Sequence, residues 1–592
     1  MKFSQFAKYL QQLEETSKRL EITSILAELI SNLSESEIDK AIYLSLGYLQ
    51  AEYETKKFNI AEKMMIKSLE KAFSKSGKVE NMFKEIGDLG NVAFNINAND
   101  LESDFEIVEV HKQLVEIAQL EGTGSQDAKI NKLAILLGKS SKLSSKYITR
   151  IVLGTTRLGF TELTIADALS QFVVGNKSAK KEIEKKYFVH PDIGLISKLI
   201  RSYGLKGLDK ISIKTGVPIH AQKAQRIKGG IEETVKKIGD CWAEYKFDGT
   251  RAQLHLDKNK KFEVTSKQID MFSKATKENY LVKTFTRNLE DTTHQHPDIV
   301  KAAMVQINAE SAILDGEAMG IDKKTGEFLP FQQIMQRKRK HSVKEISEEL
   351  PLRYYVFDII YLNGESVMNK PLRERNKILK QIVKKGEVIK IADHLETSNV
   401  SELSDFFNKA KAMNLEGLIV KNPTKPYEAG ARSYSWVKLK LADEKLIDDS
   451  IDAVVLGYYK GRGERSKFGI GGFLIGVYDE VNEKFVTVSK VGTGLKDEDW
   501  AFLKKEADKN TVIELPNNVE IPSTYNPDVL IKPSIVVEIG ADEISISKTH
   551  SANYALRFPR LLYFRTDKKS NQITTLKEIA KLHSMQRRGS YN

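Results

Sequence analysis

The chain runs to 592 residues with a formal charge of +12, a pI of about 9.1 and 29% charged residues, a length that accommodates roughly three or four separately cored domains. Its one cysteine, Cys241, excludes an intramolecular disulfide and any cysteine-rich zinc site. The scattered charges of MKFSQFAKYLQQLEETSKRL exclude a signal-peptide centre and no run approaches the roughly 18–20 apolar residues of a membrane span, so a soluble, cytoplasmic protein is expected, with an excess of Lys and Arg that favours a polyanionic partner.

Of the 13 prolines only Pro191 precedes Pro218. The early segments AEKMMIKSLEKAF, VHKQLVEIAQL and AKINKLAILLGKS repeat apolar residues at spacings of three and four, which predicts long amphipathic helices. SKSGK and LEGTGSQD break them with Gly and Ser, and no fixed-period repeat marks a solenoid. Gly138, Lys139 and Ser140 imitate the end of a phosphate-binding loop, but Leu133 stands where that motif needs glycine. In SSKYITRIVLGTTRLGF the basic Lys146, Arg150 and Arg157 are interleaved with an apolar stripe; they suit either phosphate contact or a solvated helical face.

From about residue 218 the pattern turns to short strands, turns and intervening helices. CWAEYKFDGTR, residues 241–251, sets Lys246 in a β-prone run, and Gly249 permits a sharp turn or a close approach to a phosphate. Lys246 reads as a covalent nucleophile, with a solvated strand lysine as the plain alternative; a nucleophilic amine needs burial or nearby charge to shed its proton. His294 and His296, in a polar loop beside Pro297, are expected to be exposed rather than metal-binding. AILDGEAMGID puts Asp315 and Glu317 on one face of a strand, a pair able to hold a hard cation or accept from ribose hydroxyls. The basic cluster Arg337–Lys340 fits a DNA-facing or solvated helix, and YYVFDIIYLNG a buried strand whose aromatics are mostly core. NLEGLIVKNP carries Glu416 just before a strand, with Lys421 beyond it. RSYSWVKLK alternates with period two, so Trp436, Lys438 and Lys440 share a face; two lysines converge there only around an anion such as a triphosphate.

ADEKLIDDSIDAVVLGYYKGRGERSKFGIGGFLIGVYDE then opens a β-rich segment, and four of the 13 prolines crowd between 516 and 533. A small Greek-key barrel of the OB type is expected. Gly461, Gly463, Gly469, Gly471 and Gly472 lack the strand-then-helix setting of a phosphate loop and read as a hairpin turn with Arg462, Arg465 and Lys467 near nucleic acid.

EYKFDGTR resembles the adenylation motif of the ATP-dependent DNA ligases, within the covalent nucleotidyltransferases that also include RNA ligases and mRNA capping enzymes. FTRNLEDTTHQHPDI, AILDGEAMGID, NLEGLIVKNP and RSYSWVKLK resemble further motifs of that family, in its order. The resemblance implies that Lys246 takes AMP from ATP as a phosphoramidate, with Asp248 beside the reacting groups and Lys438 and Lys440 at the α-phosphate. It implies Glu244 at the adenine edge, Phe357 stacked on adenine, Arg251 and Arg287 at the ribose and Arg432 as a further nucleotide contact. Glu317 and Glu416 would hold Mg²⁺ or Mn²⁺. ALRFPRLLYFRTDKKSNQITTLKEI resembles a last motif, whose Arg565, Asp567 and Lys568 would swing over the nucleotide about a hinge near residues 441–450. GVPIHAQKAQRI departs from the PMLA-like stretch of relatives, with Ala221, Gln222, Lys223 and Ala224 in its place.

The opening KFSQFAKYLQQLEETSKRLEITSILAELI and the Lys146–Arg157 segment resemble the helical DNA-binding domain of archaeal and eukaryotic replicative members. The expected architecture is therefore multidomain: an all-α DNA-binding domain at 1–215, an α+β nucleotidyltransferase (adenylation) domain at 216–447 and an all-β OB-fold domain at 448–592. The expected activity is that of an archaeal-type ATP-dependent DNA ligase, a monomer sealing nicks in duplex DNA in replication, repair and recombination, with a sliding clamp as a candidate further partner. Three rivals stand beside it. A capping-type guanylyltransferase or RNA ligase would not share the helical domain, a NAD-dependent ligase usually carries a four-cysteine zinc module, and a silent DNA-binding scaffold would not need Lys246, Glu416 and Lys438.

Overall fold

The computed structural model describes residues 1–54, 57–99, 105–227, 230–261, 280–329, 334, 350–413, 415–440, 450–461 and 463–585; the basic cluster Arg337–Lys340, Arg462 and the expected hinge over 441–449 lie outside them. The chain divides into two compact units, Met1–Ser74 with Asn97–Leu441, and Lys75–Ile96 with Ala442–Asn592. Helices Lys78–Ile86 and Leu89–Ile96 are thus grouped with the second unit.

The N-terminal part is helical from Phe3–Glu15 to Ile193–Tyr203. Helix Phe3–Glu15 buries Phe3, Phe6, Leu10 and Leu13, whose spacing puts them on one side. Ser141 and Asp192 cap the helices Lys142–Val152 and Ile193–Tyr203 by accepting from the N–H groups of Ser144 and Leu195. Two of the basic residues singled out here share an acidic partner. Lys146 and Arg150 reach Glu14 at 2.9 and 2.8 Å, and the Tyr147 hydroxyl donates to the same carboxylate at 2.6 Å. Burial works against the Glu14 charge, but Arg150, Lys146 and Tyr147 outweigh it and hold the carboxyl at about 2. Arg150, 2% exposed, is part of the core.

The middle of the first unit is built on two sheets. The strands are β1 (Lys223–Arg226), β2 (Cys241–Lys246), β3 (Thr250–Lys261), β4 (Tyr280–Thr286), β5 (Ser311–Gly320), β6 (Leu352–Leu362), β7 (Glu365–Ser366), β8 (Ile389–Ile391), β9 (His394–Thr397), β10 (Gly417–Lys421) and β11 (Arg432–Lys440). One sheet has the order β1-β11-β10-β2-β9; the other runs β4-β3-β5-β6-β7, with β8 parallel to β6. Alternation decides the faces of the first sheet. Cys241, Ala243, Leu418, Val420, Val437 and Leu439 point to a core completed by Ile238 and by Leu403 and Ala410 of helix Val400–Ala412. Trp242, Glu244, Lys246, Ile419, Lys421, Trp436, Lys438 and Lys440 therefore share the opposite face. The second sheet packs Leu254, Leu314, Val356 and Ile359 against Ile299 and Ala303 of helix Pro297–Gln306 and Leu379 of helix Leu372–Ile382.

In the second unit β12 (Ile451–Tyr459), β13 (Gly472–Asp479) and β14 (Lys484–Val491) form a meander, and the strand Val536–Gly540 returns to pair with β12 on its other side. This is the Greek-key return expected of an OB barrel. Helices Asp497–Lys509 and Leu576–Met585 add Trp500, Leu503 and Ile579 to the core of this β domain. The turn between β12 and β13 carries a short 3-10 helix, Gly463–Phe468. Arg465 there donates to the Gly471 carbonyl at 2.7 Å and lies 4.9 Å from the Trp500 ring centre, while Lys467 pairs with Asp497 at 3.1 Å. Arg465 is thus a packing residue of the turn rather than a projecting cation.

Candidate active site

Lys246 is the last residue of β2. In register it faces Gly417 of β10, and Gly417 faces Lys440 of β11. Glu244, Ile419 and Lys438 form the next row, and Trp242, Lys421 and Trp436 the third. The shared face inferred for Trp436, Lys438 and Lys440 is present, with Lys246 and Glu244 added to it across the sheet. Beyond Lys246 the chain turns at Asp248–Gly249 into β3 of the other sheet. A Cβ on Gly249 would lie 2.5 Å from the Ala318 carbonyl oxygen and 2.5 Å from Met319 Sδ, so close approach of β5 is what requires glycine here.

Glu416 is the hub of the first row. Its carboxylate forms ion pairs with Lys246 and, at 3.6 Å, with Lys440, and its backbone N–H donates to the Lys246 carbonyl at 3.1 Å. Burial opposes the Glu416 charge, but Lys246 and Lys440 hold its carboxyl below the ordinary range. Asp248, open to solvent at the lip of the turn, is pushed up by partial desolvation and by the Glu416 charge, against Lys246 and Lys440. Glu317 on β5 is pushed up to about 7 by burial, with Asp315 and Glu416 adding to it and Lys246 and Arg251 opposing. Carboxylates crowded enough to raise one another's proton affinity suit a hard divalent cation, which removes that repulsion. Among the described residues no group of three or more His, Cys, Asp or Glu is arranged to hold a metal, and Mg²⁺ characteristically takes only one or two carboxylates together with phosphate oxygens.

The third row lies among aromatic rings. Phe357 and Trp436 meet edge to face at 6.0 Å, and Trp242 stacks on His394 at 3.7 Å. Glu244, 4% exposed, accepts from the Trp242 indole N–H at 2.8 Å. Lys421, placed beyond its strand by the sequence pattern, is the final residue of β10, buried and 2.6 Å from Glu244. Its signal was its parity with Gly417 and Ile419, which acquires meaning only once β10 is known to lie between β2 and β11.

One expectation needs correction, the exposure of His296, and other predicted residues acquire defined partners. Arg251 is held bidentately by Asp315, at 3.0 and 2.6 Å, and donates to the Gln222 carbonyl at 2.7 Å. Asp315, which also accepts from the Tyr427 hydroxyl at 2.7 Å and is 1% exposed, anchors that guanidinium. His296 is buried and within hydrogen-bonding distance of Thr284 Oγ1, 3.0 Å, whereas His294 is exposed. Gln222, in the AQKA departure, is fully buried and bonds through its backbone N–H to Tyr427 and through its amide to Ser435 and the Glu428 N–H.

Other predicted residues lie at the margins. Arg287 is on the exposed turn after β4, one residue past the Ala252–Thr286 pair and so level with Arg251. Arg432 is exposed at the end of β11 opposite to Lys440. Phe357 reaches the Trp436 ring from β6, with the Arg251 guanidinium 5.3 Å from its ring centre. In the second unit Arg565 is paired with Asp567, at 2.7 Å, Asp452 and Glu538, and Lys568 with Asp452.

Family models match along the chain: "DNA ligase N terminus" over residues 2–170, "ATP dependent DNA ligase domain" over 221–280 and 273–440, and "ATP dependent DNA ligase C terminal region" over 466–568. A protein named "Probable DNA ligase" from Dictyoglomus turgidum is 39% identical over 597 residues, covering 99% of this chain and 98% of that one. The DNA ligases of Pyrobaculum arsenaticum and Sulfolobus acidocaldarius are 36% and 34% identical, covering 99% and 98% of each chain respectively. Among solved structures, Pmar-Lig_PreS3 aligns over 95% of this chain and 99% of its own with a TM-score of 0.55 at 17% identity, a likeness of fold.

Proposed function

Because the chain belongs to the ATP-dependent DNA ligases, we propose that Lys246 is its adenylated nucleophile and that the face around it handles each step of nick sealing. The observation that carries this is the placing of Lys246 in one row with Lys440 and against Glu416, next to the row of Glu244 and Lys438 and the aromatic rings. In this reading the Lys246 amine, deprotonated and released from Glu416, attacks the α-phosphorus of ATP. The N–P bond forms as the bond to pyrophosphate breaks, giving lysyl-AMP. AMP then passes to the 5′-phosphate of a nick, and the 3′-hydroxyl displaces it to join the strands. Lys438 and Lys440 neutralise the α-phosphate as charge builds on its oxygens, and Asp248 stands beside the reacting groups. Glu244 meets the adenine edge and Phe357 its face. Arg251, immobilised by Asp315, presents a fixed edge toward the ribose and nick, with Arg287 and Arg432 as outer contacts. Glu317 and Glu416 would hold Mg²⁺ or Mn²⁺, which would supply charge neutralisation at the phosphates.

In the second unit, Arg565 and Lys568 act on the leaving pyrophosphate after exchanging their Asp452 partner for phosphate oxygens. The division into a helical DNA-binding domain at 1–215, an adenylation domain at 216–447 and an OB domain at 448–592 belongs to the same proposal, as do nicked duplex DNA as the bound form, action as a monomer with a sliding clamp as further partner, and a cytoplasmic setting. No described helix is long and apolar enough to cross a membrane. The test is incubation with α-labelled ATP, GTP or NAD and Mg²⁺, a denaturing gel and peptide mapping. Label from ATP on Lys246 is expected; label from GTP alone would favour a capping-type enzyme, and no label from any donor a silent DNA-binding protein.

A further inference from the structure

Lys421 is 1% exposed. Its Nζ lies 2.6 Å from Glu244 Oε2, 3.3 Å from the Phe357 carbonyl oxygen, and 4.6 and 4.3 Å from the ring centres of Phe357 and Trp436. An ammonium has three N–H donors, and a carboxylate, a carbonyl and the aromatic faces take them. Glu244 in turn receives the Trp242 indole N–H on its other oxygen. Burial, with the Asp358 charge adding to it, leaves the Glu244 carboxyl above its ordinary range even though Lys421 and the Trp242 N–H oppose that rise; the 2.6 Å contact with the ammonium is what favours the carboxylate form, and removing the lysine shifts the balance towards the protonated acid.

The protonation state of Glu244 has a chemical consequence for a purine. Adenine carries an N6–H donor at the position where guanine and hypoxanthine carry the O6 acceptor. A carboxylate attracts the first and repels the second, whereas a neutral acid can donate to O6. We propose that Lys421 is a positioning residue which keeps Glu244 an acceptor-only carboxylate, and thereby makes the site select a 6-aminopurine nucleotide over a 6-oxopurine one. This rests on the placing of the nucleotide base against Glu244 in the proposed function.

The experiment measures formation of the AMP or IMP adduct on the full chain, by intact mass, with ATP or inosine triphosphate between pH 6 and pH 9. Wild type should prefer ATP throughout. In Lys421→Met, and in Lys421→Gln, which keeps a donor but no charge, the ATP-to-ITP ratio of kcat/KM should fall on the order of tenfold at pH 6, mainly through KM, and recover towards pH 9 as Glu244 ionises. Glu244→Gln, neutral at every pH, should show the lowered ratio without recovery. An unchanged ratio in both lysine variants overturns the proposal, and so does a ratio lowered equally at all pH values, which would mean that Lys421 supports only the fold. Failure of the wild-type chain to form any adduct on Lys246 would instead remove the underlying assignment of the site.

Discussion

Glu14→Gln removes the carboxylate on which Lys146, Arg150 and the Tyr147 hydroxyl converge. A carboxyl held at about 2 rather than 4.5 contributes about 3 kcal/mol to folding at neutral pH, an upper figure because the Glu14 side chain is 25% exposed. The folded state lowers this proton affinity, so the stabilisation is complete above about pH 4.5 and is lost as the pH falls towards 2. For a helical region of this size the loss corresponds to roughly 6–12 °C in melting temperature at pH 7, followed by circular dichroism at 222 nm, with variant and wild type converging in acid. Arg150→Met should destabilise the helices in the same way. It should leave unchanged the slope of log affinity for nicked duplex against log salt, since losing one phosphate contact would reduce that slope by about 1. A slope reduced by about 1 with an unaltered melting curve would refute the assignment of Arg150 to the core.

Lys246→Arg, permanently protonated, should abolish the nucleotide adduct while nicked-duplex affinity stays within about twofold; continued labelling places the nucleophile elsewhere. Glu416→Gln removes the charge shared by Lys246 and Lys440 and one carboxylate offered to a cation, so adduct formation should slow by at least about tenfold and recover in part at higher Mn²⁺. Rates insensitive to the substitution at every metal concentration would count against Glu416 as a ligand. Arg565→Ala should slow adduct formation yet spare the joining of a nick that already bears a 5′-AMP, and equal losses in the two assays would detach Arg565 from pyrophosphate release.

Much of the site follows from residue type and period. Side-chain direction along a strand depends on parity alone, so RSYSWVKLK is enough to align Trp436, Lys438 and Lys440, and the proline-poor apolar spacing before Pro218 is enough to predict helices. The order of motifs along the chain was likewise sufficient to identify the family. Partnership is different, because a basic side chain carries the same local signal whether it meets a phosphate or a distant carboxylate. Arg150 pairs with Glu14 and Arg251 with Asp315 only after helices and strands far apart in sequence have packed. The polar bonds of Gln222 to Tyr427 and Ser435, and the burial of Lys421 between two rings and Glu244, likewise depend on β1, β10 and β11 being brought beside β2 and β6. The sequence by itself determined which chemistry is available and on which face of each element it stands; the tertiary structure alone decided which charges neutralise one another, since pairing energies depend on distance and burial that no local pattern encodes.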